Sequence, residues 1–90
     1  MRRFFFHVDD GDLSPDTEGT VHHDLDEARV EAVRLTGEML REAGKKFWSG
    51  GTQWRLHVTD EEGQLVLTLN LSADQPSGKL LFRPLPVAMA

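Results

Sequence analysis

No cysteine occurs among the 90 residues, which excludes disulfides and thiol chemistry and leaves packing to hold the fold. Long apolar runs are missing too: nothing approaches the ~18 continuous apolar residues of a membrane helix. Met1-Arg2-Arg3 before three phenylalanines has the look of a secretion signal, but Asp9, Asp10 and Asp12 stop the run far short of an h-region. A cytoplasmic protein is therefore expected. Excess positive charge is also absent. The formal net charge is −5, so no basic field draws nucleic acid from a distance, although a local basic patch remains open. The chain contains no Gly-x-Ser-x-Gly elbow, no phosphate-cradling glycine loop and no His-Glu-x-x-His helix. A non-enzymatic protein without a cofactor is expected on that ground.

What is present is the composition of a soluble globular domain, 39% hydrophobic and 28% charged, rather than that of a disordered chain. One domain is expected at this length, burying only roughly 60% of its unfolded surface. The opening run Phe4-Phe5-Phe6-His7-Val8 reads as a strand with aromatics on both faces. Alternation sends Phe4, Phe6 and Val8 to one side and Phe5, His7 and Asp9 to the other. Turn formers fill Asp10 to Gly19, and Thr20-Val21-His22 can add a short antiparallel strand.

Asp24 reads as a helix N-cap, with Glu27 placed to reach back as a capping box. Leu25, Ala28, Ala32, Leu35, Met39 and Ala43 then recur at helical spacing, flanked by Val33, Thr36, Leu40 and Phe47. The predicted helix runs from about Asp24 to Gly44. Its polar side offers the pairs Glu38–Arg41 and Glu42–Lys46. Beyond Gly50-Gly51, Trp54 to Thr59 and Leu65 to Leu71 alternate on either side of an Asp60-Glu61-Glu62-Gly63 turn, which predicts a hairpin. Its inward set is Trp54, Leu56, Val58, Leu65, Leu67, Leu69 and Leu71; Arg55, His57, Thr59, Val66, Thr68 and Asn70 face outward. Trp48 and Trp54 bracket the glycine loop, either both in the core or one of them as an exposed anchor.

These features predict an α+β fold: an antiparallel sheet of three to four strands in ββαββ order, with one long helix on one face. With the strands numbered along the chain, the spatial order 2-1-3-4 keeps every neighbour antiparallel. The domain is expected to span residues 1–72, with residues 73–90 as an extended or disordered tail. That tail carries the apolar run Lys79-Leu80-Leu81-Phe82-Arg83.

Phe4-Phe5-Phe6, Asp10-Gly11, Asp16, Glu18-Gly19, Asp24-Leu25 with Ala28, and Thr59-Asp60-Glu61 with Gly63 carry a family likeness. Over about residues 2–72 the chain resembles domain-of-unknown-function family 6894, short bacterial proteins that open with an Arg-Tyr-Phe-Phe type strand. The resemblance implies a small cytoplasmic bacterial protein and transfers no activity to any residue. His23 stands where that pattern commonly has proline.

The outward sheet face, with Phe5, His7, Arg55, His57, Thr68 and Asn70, is the candidate interaction surface. Aromatic and cationic groups on an open sheet can meet a second subunit, an unidentified protein partner, or stacked bases; a plain solvated face is the bland alternative. The net charge and the single aromatic disfavour nucleic acid. His7 and His57 with Asp9 hold ligand types for a divalent ion, yet zinc sites generally need three or four ligands, and no metal is assigned. His22-His23-Asp24 is read as capping, and the acidic residues from Asp9 to Glu18 as solvated turns that miss the calcium-loop pattern. A self-associating interaction module, a homodimer or the binder of an unidentified protein partner, is the leading expectation. The alternatives are a nucleic-acid-associated regulator and a small metal-dependent enzyme.

Overall fold

The computed structural model describes residues 1–49 and 53–74. The opening alternation becomes strand β1 (Arg2–Asp9), whose aromatic and β-branched residues suit a pleated surface. Strands β2 (Leu13–Ser14) and β3 (Thr20–His22) follow, then helices α1 (Leu25–Ala43) and α2 (Lys45–Ser49) and the hairpin β4 (Gln53–Thr59) and β5 (Leu65–Ser72). Residues 75–90, on which the tail expectation falls, lie outside the described residues, as does the Gly50-Gly51 loop.

Every strand pairing is antiparallel, in the order β2-β1-β4-β5 with β3 also on β1. The α+β class and the antiparallel sheet stand as predicted, but the sheet has five strands rather than three or four. The extra one is β2. Gly11, at φ 110°, and Asp9, whose Oδ1 accepts the Gly11 N–H at 3.2 Å, turn the acidic segment tightly enough for Leu13 to pair back on Asp9. A second helix also departs from the one-helix expectation. Gly44, at φ 51°, ends α1 by donating its N–H to the Leu40 carbonyl, and its own carbonyl accepts from Phe47 to begin α2.

The start of α1 is close to the capping box that the sequence suggests, with the returning bond one residue before the N-cap. Asp24 Oδ1 accepts the Glu27 N–H at 2.9 Å, and Glu27 Oε1 reaches back to the His23 N–H at 2.7 Å. Ala28 and Ala32 are fully buried, and their small side chains let the helix approach Phe4, Phe6, Leu56 and Val58, which form the rest of the core. Leu56 and Val58 have no exposed surface, so burial of each stabilises the fold by roughly 1.5–3 kcal/mol. On the polar side Arg34, rather than Arg41 or Lys46, gathers the ion pairs, meeting Glu31 at 2.6 Å and Glu38 at 2.8 Å. It lies three residues after one glutamate and four before the other, within reach of both.

One inward and one outward assignment need correction. The register slips between Val58 and Thr59, so that Val58 faces Leu67 while Thr59 faces Leu65 and Val66 is the extra residue of a bulge. The bulge sends Leu65 out, 60% exposed, and packs Val66 against the core. The tryptophans divide as well: Trp54 is buried, edge-on to the Phe47 ring at 5.1 Å, whereas Trp48 is 53% exposed.

Candidate interaction face

Alternation and register together place the six predicted residues on the sheet face away from α1. His7 lies opposite His57, which lies opposite Thr68; Asp9 lies opposite Arg55, which lies opposite Asn70. Phe5 stacks on His7 with ring centroids 6.5 Å apart and planes 12° from parallel. None of the six has moved to the core side.

The polar side chains of this face, with Thr59 among them, are bonded to one another across the strands. His7 Nε2 and Thr59 Oγ1 are 2.8 Å apart, His57 Nδ1 and Thr68 Oγ1 3.0 Å, and Arg55 Nε donates to Asn70 Oδ1 at 3.1 Å. Such cross-strand pairs hold side chains in place and add a few tenths of a kcal/mol each, up to about 1 kcal/mol. His7 is held from a second side, because its Nδ1 accepts the backbone N–H of Asp16 at 3.0 Å. A neutral ring that accepts at Nδ1 carries its proton on Nε2, which therefore donates to Thr59.

Asp16 is the residue that the sequence reading undervalued. Its Oδ2 accepts the Phe6 N–H at 3.0 Å, and its Oδ1 accepts the N–H groups of Glu18 at 3.1 Å and Gly19 at 3.0 Å. The carboxylate occupies the gap that β2 and β3 leave along β1. Burial works against its charge, but the bonds from Gly19, Phe6 and Glu18, with His7 nearby, outweigh it and hold Asp16 below the usual carboxylate range. Gly19, at φ 71°, completes the contact: a Cβ there would stand 2.8 Å from the Phe4 carbonyl and 2.9 Å from the Phe5 ring. The Asp-x-x-Gly spacing is a turn signal that could have revealed this anchor from sequence.

The other candidates stay apart. His22 sits at the rim of the core, edge-on to Phe6 at 5.7 Å, with Nε2 against Thr20 Oγ1 at 2.9 Å. Asp9, Asp10 and Asp60 each bond backbone N–H groups of their own turns. Among the described residues no three His, Asp or Glu side chains gather as ligands for one ion, and His7 and His57 each turn to a hydroxyl. No helix of the described residues is long and apolar enough to cross a membrane.

The model of a family described as a domain of unknown function, DUF6894, matches residues 3–72. No curated protein and no solved structure matches the chain.

Proposed function

We propose that this chain, which belongs to the DUF6894 family, is a non-enzymatic protein-interaction module that self-associates and offers its uncovered sheet face to a protein partner. The observation that carries the reading is the mutual bonding of the outer-face side chains. Catalytic groups converge on a space where a substrate can sit, whereas His7, His57, Arg55, Thr68 and Asn70 are paired along the surface. A preorganised polar face of this kind loses little side-chain entropy when a partner covers it. Phe5 supports a protein partner over stacked bases, since His7 lies against its ring and Gly19 runs so close to the ring that a Cβ there would stand 2.9 Å from it.

Light scattering and sedimentation across a dilution series test self-association directly. A dimer that dissociates on dilution is expected, and a monomer at every concentration overturns it. A salt-dependent mobility shift with single-stranded nucleic acid, lost in Phe5→Ala and Arg55→Ala, would replace the protein-partner reading with the nucleic-acid one.

A further inference from the structure

Strand β5 is the one long strand of the described sheet with an unpaired edge, since β4 is flanked on both sides and β1 carries β2, Asp16 and β3 along its outer side. Sheet edges usually protect themselves with charge, proline or brevity. Here the edge is eight residues, Leu-Val-Leu-Thr-Leu-Asn-Leu-Ser, with neither a charge nor a proline. The helix above it also reaches past the described sheet with exposed apolar residues. Val33, 63% exposed, and Leu40, 38% exposed, continue the apolar surface of α1 beyond its buried stripe on the β5 side.

Two hollows lie beside this edge, one of about 280 Å³ between Val33, Leu67 and Leu69 and one of about 600 Å³ between Leu40, Phe47, Trp48 and Leu71. The charges of α1 are arranged to match. Glu31, Arg34 and Glu38 are gathered into ion pairs on the polar face, and the charges near the apolar flank, Asp26 and Arg29, neutralise each other at 2.8 Å.

We infer that self-association occurs by antiparallel pairing of β5 with β5 of a second copy about a two-fold axis normal to the sheet. The inference rests on the self-association reading above and adds its location. Charge selects the occupant. Two chains of net charge −5 repel except where they meet on an uncharged strip, and a basic or acidic peptide finds no counter-charge along β5. A strand that fits must itself be uncharged and must carry apolar residues at every second position. The sequence of β5 satisfies its own requirement, as an isologous contact demands. Antiparallel pairing about that axis keeps inward residues with inward ones, so leucines of the second copy enter the hollows beneath Val33 and Leu40. The outer faces of the two copies then join into one platform, with Thr68 and Asn70 near its centre.

Hydrogen exchange on the full chain at both ends of a dilution series tests the location without any substitution. The expected result is protection of β5 amides that appears only at concentrations where the dimer forms. Leu65→Lys and Val33→Glu, both at exposed positions, are expected to weaken the dimer about tenfold or more with unchanged circular dichroism. A dimer whose affinity is unmoved by both substitutions, or whose protection maps to Phe5, His7 and Arg55, overturns the β5 contact and leaves self-association standing. A monomer at every concentration overturns both. A monomer whose β5 amides are protected throughout also overturns the inference and assigns the edge to residues 75–90 of the same chain.

Discussion

The two edges of this sheet have been treated in opposite ways. Along β1 the chain doubles back as β2, inserts the Asp16 carboxylate onto the Phe6 N–H, passes close to Phe4 and Phe5 at Gly19 and re-pairs as β3. Along β5 nothing comparable is present among the described residues, and the helix flank above it is left apolar and exposed. Closing an edge removes backbone groups from competition and makes the register of β1 unambiguous. An open uncharged edge, by contrast, is a template for another strand. The closed edge also anchors the candidate face, because the segment that caps Phe6 positions His7 from behind.

The contrast is broken most severely at Gly19. Gly19→Ala places a Cβ against the Phe4 carbonyl and the Phe5 ring at a positive φ, and is expected to cost about 2–4 kcal/mol in chemical denaturation. Asp16→Asn comes next, at about 1–3 kcal/mol, because the amide nitrogen cannot accept the bonds that one carboxylate oxygen now takes. This substitution also has a pH signature. The folded-state pKa of Asp16 lies below the usual carboxylate range, so its stabilisation is complete above that range and is lost as pH falls through the folded value. Denaturation midpoints measured across the acid range should fall less steeply for Asp16→Asn than for the parent protein. The smallest effect belongs to the open edge: in dilute solution Leu65→Lys is expected to change stability by no more than about 0.5 kcal/mol, since Leu65 is already 60% exposed. A large loss there would mean that the edge is engaged within a single chain.

Much of this arrangement is written in short stretches of sequence. The division of β1 into Phe4, Phe6 and Val8 against Phe5 and His7 follows from alternation alone, and the limits of α1 follow from Asp24, Glu27 and Gly44. The six face residues were legible for the same reason, because strands with clear alternation announce their two sides. What escaped was Thr59 as the partner of His7, 52 residues away in sequence, and Asp16 as the plug in the β1 edge. Composition marked Asp16 only as one more acidic turn residue. The bulge at Val66 was hidden too, since leucine recurs at every second position from Leu65 to Leu71 and only the pairing with β4 shows where the register slips.

Local chemistry thus settles which segments become strands and helices and which side of β1 faces the helix, since periodicity and capping act over a few residues. Pairing across the sheet settles the rest: that Leu65 turns outward, that Asp16 closes one edge, that Trp54 is buried while Trp48 is exposed, and that β5 has β4 as its one neighbour among the described residues. Those outcomes depend on contacts between segments far apart in the chain, where one residue of register reverses every side chain that follows.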